Sequence, residues 1–220
     1  MHNLKLWSPS INSNNLKRFT KSLKNLNIKS YNHLHKWSVD NKEEFWKKIW
    51  KFTKIIGVLK GEIYSHDNDF IKCRFFEDSK INYAENCLYK NDDTDAIIFY
   101  SENNLRRSIS WKKLKESVFK LSHFLKINNI NKNDRVVAVL PNLPETVISF
   151  LACSQIGAIW SSCSSDFGEQ AIIDRFKQID PKILIATDYY YYNKKKIDTT
   201  KVIPKILKNI PSIKKIIIIP

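Results

Sequence analysis

Two short stretches of this 220-residue chain carry side chains that could meet a phosphate-bearing ligand. The first is Ser161-Ser162-Cys163-Ser164-Ser165, followed by Asp166. A phosphate cradle needs backbone N–H groups and hydroxyl donors, with glycines that let the backbone come close. The chain has only four glycines, Gly57, Gly61, Gly157 and Gly168, and none stands in a G-x-G cluster. The serine turn is therefore the nearest imitation of a cradle that the sequence holds. The second stretch is Tyr191-Tyr192-Asn193-Lys194-Lys195-Lys196, the one tight run of cations, whose plain reading is a solvated basic loop. The five histidines (His2, His33, His35, His66, His123) form no nucleophile–base pattern. His33 and His35 lack a third ligand for a metal. Cys73, Cys87, Cys153 and Cys163 show no C-x-x-C spacing and read as small buried hydrophobes. No catalytic residue and no metal ligand is nominated in this sequence.

The elements that must position these stretches alternate. The serine turn follows an apolar strand at 159–162 and precedes a helix at 168–179, so it lies at the carboxyl edge where parallel sheets bind ligands. Glu169 follows Asp166 at capping-box spacing, which predicts a helix start. The basic stretch follows a strand at 183–186, again at a carboxyl edge. Upstream, 96–100 and 107–111 read as short strands, and 111–127 as a helix with Leu114, Val118, Leu121 and Leu125 on one face. Residues 136–140 are continuously apolar, as a strand buried on both faces requires. Pro144 opens the next helix, with Glu145 as a first-turn dipole partner, and that helix ends near Gly157. A helix at 202–209 and a strand at 216–219 complete the series. Repeated strand–helix units predict an α/β fold with a doubly wound parallel sheet.

Before this series the chain is different. Residues 1–30 read as a polar extension rich in asparagine and lysine, with Leu16, Phe19, Leu23 and Leu26 able to form one amphipathic helix. Asp40 and Glu43 are spaced as a capping pair. Phe45, Trp46, Ile49, Trp50 and Thr53 then share a face that should enter a core. Residues 31–93 form a lead segment, and 94–220 a separate unit.

Composition removes several classes. An apolar content of 43% with 12% aromatics is globular. No run of eighteen apolar residues and no secretory pattern occurs, so we expect a cytoplasmic chain that does not cross a membrane. The net charge of +15 could attract nucleic acid. Its lysines are spread along the chain, however, and no helix-turn-helix or aromatic RNA-binding signature accompanies them.

The run Gly157-Ala-Ile-Trp160-Ser-Ser-Cys163, Asp166-Phe167-Gly168 and Asp174-Arg175-Phe176 to Pro181 closely resembles the acetoacetate–CoA ligases of the adenylate-forming acyl-CoA synthetase superfamily. Phe75-Phe76, Asn82-Tyr83-Ala84-Glu85-Asn86 and Leu88 resemble the lead segment of acetyl- and acetoacetyl-CoA synthetases, and Pro141-Asn142-Leu143-Pro144-Glu145 also resembles the superfamily. Two departures stand out: Ser165 where that family has proline, and Lys194 where it has glycine.

The resemblance implies an enzyme that uses ATP, coenzyme A and magnesium to activate acetoacetate or another short acyl acid. It implies coenzyme A contacts at Ser164, Ser165 and Asp166, and at Tyr192, Asn193 and Lys195. There lysine ammoniums suit a phosphate and tyrosine offers a face to adenine. An acetate or propionate ligase, and a non-catalytic acyl-CoA- or nucleotide-binding or interaction module, remain open as alternatives. The resemblance runs out before the family's Ser/Thr/Gly-rich loop. We therefore expect the first third of a longer enzyme, inactive by itself.

Overall fold

The computed structural model describes residues 14–220. The chain divides into two compact units, one ending at Ile81 and one running from Asn82 to Pro220. Of the polar extension expected at 1–30, residues 1–13, His2 among them, lie outside the described residues.

Among the described residues the first unit is built from three α-helices, two short 3-10 turns and four very short strands. Helix α1 (Asn15–Ser22) is capped by Asn14, whose side chain accepts from the Lys17 N–H, and buries Phe19. Helix α2 (Tyr31–Asp40) is capped in the same way by Ser30, and α3 (Lys42–Phe52) follows after a single residue. Strands β1 (Gly57–Val58), β2 (Tyr64–Ser65), β3 (Arg74–Phe75) and β4 (Lys80–Ile81) pair antiparallel as β1 with β4 and β2 with β3.

Two expectations fail here. Asp40 does not cap α3: it ends α2, paired with Lys36 at 3.0 Å, and the cap position falls to Asn41, which makes no side-chain capping bond. Nor do the tryptophans enter a core. The contacts of α3 with the buried cluster of Phe19, Leu23 and Leu34 come from Phe45, Ile49 and Phe52. Trp46 remains 37% exposed with its ring edge-on to Phe75, and Trp50 packs on Phe76.

The second unit opens with α4 (Tyr83–Cys87), an antiparallel hairpin of β5 (Asp95–Tyr100) and β6 (Arg106–Ser110), and α5 (Trp111–Ile127). Ser110 caps α5 by accepting from the Lys113 N–H. Then come β7 (Arg135–Val139), α6 (Pro144–Ile156), β8 (Ile159–Cys163), α7 (Glu169–Lys177) and β9 (Ile183–Thr187). A second hairpin, β10 (Tyr189–Tyr192) and β11 (Lys195–Asp198), precedes α8 (Ile203–Asn209) and β12 (Lys215–Ile219). Pro144 begins α6 as expected, and Gly157 ends it in the left-handed conformation, φ 74°, that suits glycine.

Four strands form one parallel sheet in the order β12-β9-β7-β8. Alternate residues of the two central strands face opposite layers. Val136 and Ala138 of β7 with Ile183 and Ile185 of β9 meet Leu114, Val118 and Leu125 of α5 and Leu151 of α6. Val137, Val139, Leu184 and Ala186 meet Ile172 and Phe176 of α7 and Ile206 of α8. Helices thus cover both faces, which is the doubly wound arrangement expected from the sequence. The strands at 96–100 and 107–111 do form, as a separate antiparallel hairpin.

Candidate functional site

The chain leaves β7 toward α6 on one face of the sheet and returns from β9 to α8 on the other. Neighbouring strands whose connections part in this way open a crevice at their carboxyl ends. Here the crevice is a cavity of about 560 Å³. Its walls include Asn142 and Leu143 after β7, Thr187, Tyr189 and Tyr191 around β9 and β10, and the β5–β6 loop.

An ion pair braces one wall. Glu145, in the first turn of α6, accepts from both terminal nitrogens of Arg107 on β6; the Nη1–Oε2 distance is 3.2 Å and Nη2–Oε1 is shorter. A bidentate pair fixes orientation as well as distance. The pairing joins the β5–β6 hairpin to the start of α6 across 38 positions of sequence, and nothing in the local pattern announced it.

The basic stretch forms a hairpin and not a loop, and residues 191–196 remain exposed, as the solvated reading has them. Tyr189, Tyr190, Tyr191 and Tyr192 pair with Asp198, Ile197, Lys196 and Lys195, leaving a two-residue turn of Asn193 and Lys194. Both turn residues have positive φ, 48° and 62°. This matches the twisted turn that two-residue hairpins prefer, where glycine or asparagine is usual. Lys196 Nζ stands 3.7 Å above the Tyr189 ring, so its charge is engaged within the hairpin. Tyr192 is 61% exposed at the tip, beside exposed Asn193 and Lys195. The Lys194 N–H donates to Glu102 Oε2 of the β5–β6 loop at 3.0 Å.

The serine turn leaves the end of β8. Ser164 is exposed and its carbonyl accepts from the Phe167 N–H at 3.3 Å. Ser165 is only 9% exposed, and its hydroxyl oxygen is fully buried without a hydrogen-bond partner. Proline, the residue expected at this place, would bring no hydroxyl to satisfy. Asp166 is exposed, and the Arg175 guanidinium lies 5.0 Å from the Phe167 ring. The expected Asp166–Glu169 capping box does not form. Gly168 is the N-cap of α7 and gives no side-chain bond, while Glu169 reaches Lys205 of α8 at 2.7 Å. Burial pushes the Cys163 thiol up to about 11, with the Arg175 charge working against it. That keeps it a packed neutral group rather than a nucleophile.

The structure therefore puts the six sequence-nominated residues at one end of the sheet, in two groups. Ser164, Ser165 and Asp166 follow β8; Tyr192, Asn193 and Lys195 form the β10–β11 tip. None of them lines the cavity. Tyr190 stands on β10 between the cavity wall and the hairpin tip. Burial raises its phenol first, and the charges of Asp166 and Tyr192 add to that. Among the described residues, no three histidine, cysteine or acidic side chains converge on a metal position. None of the helices described is long and apolar enough to cross a membrane.

Comparison with known proteins agrees with this layout. Residues 31–87 match the family described as acetyl-coenzyme A synthetase N-terminus. The chain is 41% identical to the acetoacetyl-coenzyme A synthetase of Rhizobium meliloti (strain 1021), over 82% of this chain and 28% of that protein. It is 34% identical to the acetoacetyl-CoA synthetase of Danio rerio, over 98% of this chain and 33% of the relative. The solved acetoacetyl-CoA synthetase from Streptomyces lividans superposes with a TM-score of 0.88 at 27% identity, covering 94% of this chain and 33% of that one. The chain thus spans about a third of the length of the relatives it matches. Residues 84–220, more than half of the chain and almost all of its doubly wound unit, match the family described as AMP-binding enzyme, and the chain belongs to that family.

Proposed function

We propose that this chain is the N-terminal part of an ATP-dependent acetoacetate–CoA ligase. That reaction joins acetoacetate to AMP with release of pyrophosphate, then passes the acyl group to the coenzyme A thiol with release of AMP. The observation that carries the reading is the likeness to acetoacetyl-CoA synthetases over nearly the whole chain, through both units.

Coenzyme A is the substrate for which these residues offer contacts. Ser164, Ser165 and Asp166 would border it on the β8 side through backbone contacts, with the Ser164 and Asp166 side chains exposed there. Tyr192 would give a stacking face to adenine. Asn193 and Lys195 would meet the phosphates of the nucleotide end, lysine acting there as a point charge. ATP and magnesium belong to the reaction as well. Among the described residues no three histidine, cysteine or acidic side chains converge on a metal position, and no residue or step is assigned to the ion here. No residue of the chain is assigned to acid–base or nucleophilic chemistry. Arg107 and Glu145 serve as structure, bracing the hairpin beside the crevice.

The test is a protein that carries these residues together with the remaining two thirds of the relatives' length, assayed for thioester formation from ATP and coenzyme A. Acetoacetate should be the better acid. Acetate is the comparator because residues 31–87 match the acetyl-coenzyme A synthetase N-terminus. Faster turnover of acetate would overturn the assignment. The 220-residue chain alone, lacking a Ser/Thr/Gly-rich phosphate loop, should give no acetoacetate-dependent ATP–pyrophosphate exchange above a no-enzyme control.

A further inference from the structure

The turn that presents Lys195 is strained at its second residue and is held from outside. Lys194 has φ 62°, a conformation that glycine takes freely and a side chain with a Cβ does not. In a two-residue hairpin turn the closing bonds run between the flanking residues, here Tyr192 and Lys195. The N–H of the second turn residue has no partner within such a hairpin. Glu102, 92 positions earlier, accepts that N–H at 3.0 Å through a carboxylate, which makes the bond charge-assisted.

Glu102 is itself firmly delivered. Its loop closes with the Ser101 N–H on the Leu105 carbonyl at 3.0 Å and the Asn104 N–H on the Ser101 carbonyl at 3.1 Å. Two residues further on, Arg107 ties the same hairpin to Glu145 of α6.

We propose that Glu102 is a positioning residue for coenzyme A. Its carboxylate holds Lys194 in the left-handed conformation, and through it aims Lys195 and Tyr192; this rests on the reading of the turn as a coenzyme A contact. The proposal has a distinctive sign. Glu102 is a negative charge bonded to the backbone of the Lys194-Lys195-Lys196 run, so by charge alone its removal tightens the binding of an anion, by no more than about fivefold at an exposed site. By positioning, its removal loosens binding.

The experiment uses the 220-residue chain, with adenosine 3′,5′-bisphosphate as the probe of the nucleotide end. Affinity is followed by NMR titration, and the Lys194 amide by hydrogen exchange. Glu102→Ala should speed exchange at the Lys194 amide by about tenfold and weaken bisphosphate binding by roughly threefold to tenfold. In a chain that already carries Lys194→Gly, the further change Glu102→Ala should alter bisphosphate affinity by less than about twofold, because glycine holds the turn conformation without outside help. Tighter binding in Glu102→Ala, or an equal loss in both backgrounds, overturns the positioning role. Binding in the wild-type chain with Lys194 exchange unchanged by Glu102→Ala overturns the role of Glu102 alone. A wild-type chain that binds no bisphosphate overturns the coenzyme A reading of the turn, and this inference with it.

Discussion

The two units of the chain solve the burial problem differently. In the second, β7 and β9 lie inside a parallel sheet with helices on both faces, and every residue of β9 is buried. Among the described residues of the first, no strand exceeds two residues and α3 buries no residue completely. Phe70 and Ile71 there are 86% and 82% exposed. Cohesion comes from a three-residue cluster and a row of edge-on aromatic pairs, such as Phe19–Phe45 and Trp46–Phe75. The contrast separates scaffold from accessory. The unit that carries the proposed coenzyme A contacts is the one whose strand ends are held by a sheet buried on both faces. Rigid strands aim loops well.

Breaking each core in turn tests that contrast most severely. Phe176 on α7 is wholly buried, and Phe176→Ala should cost about 3–5 kcal/mol, enough to remove slow amide exchange throughout the parallel sheet. Phe19→Ala should speed exchange in α1, α2 and α3 while β7 and β9 keep their protection. Equal loss in both units after either change would show that they do not differ as described.

The next effect is electrostatic. Asp134, just before β7, is held below the usual carboxylate range by its bond to Lys182 and by the Asn131 N–H. A lowered folded pKa means stabilisation that is present above the unfolded value, near 4, and lost as pH falls through the folded one. Asp134→Asn should cost about 1–3 kcal/mol at pH 7 and flatten the loss of stability on acidification. Urea melts between pH 7 and 2 would check both; parallel curves for the two proteins would contradict the assignment.

A smaller change should act in the opposite direction. Ser165→Ala removes a buried hydroxyl that has no partner, and should stabilise the second unit by about 1 kcal/mol. Thermal melts of the two ligand-free chains measure the gain. Destabilisation of the ligand-free chain would mean that the hydroxyl is satisfied after all.

The smallest perturbation is chemical. Burial pushes the Cys153 thiol up to about 12 and that of Cys163 up to about 11, whereas Cys73 and Cys87 are partly exposed. Alkylation of the native chain at pH 8 should label Cys73 and Cys87, and reach the other two only in denaturant. Native labelling of Cys163 would show that the β8 end is looser than this packing implies.

Much of the second unit was legible because its residues obey local rules. The unbroken apolar runs of β7 and β9 mark strands covered on both faces, and Pro144 and Gly157 bracket α6. The first unit was less so: Asp40 and Glu43 have capping spacing, but α2 continues to Asp40 and takes it for a pair with Lys36. The β10–β11 hairpin was hidden because its turn has Asn-Lys where Asn-Gly is the recognisable signal. Ser164, Ser165, Asp166, Tyr192, Asn193 and Lys195 were nominated from type and resemblance. The groups that brace their surroundings, Arg107 with Glu145 and Glu102 with Lys194, are joined across 38 and 92 positions that only the fold brings together.

The proposed function places coenzyme A at the carboxyl edge of the parallel sheet in the second unit. The direct measurement is the amide NMR shift map of the 220-residue chain titrated with coenzyme A at low salt. Shifts should be confined to residues 164–166 and 192–195 and to their neighbours on β8, β10 and β11, fading as salt is raised. Shifts centred on α1, α2 and α3, or no shifts at millimolar coenzyme A, would contradict it.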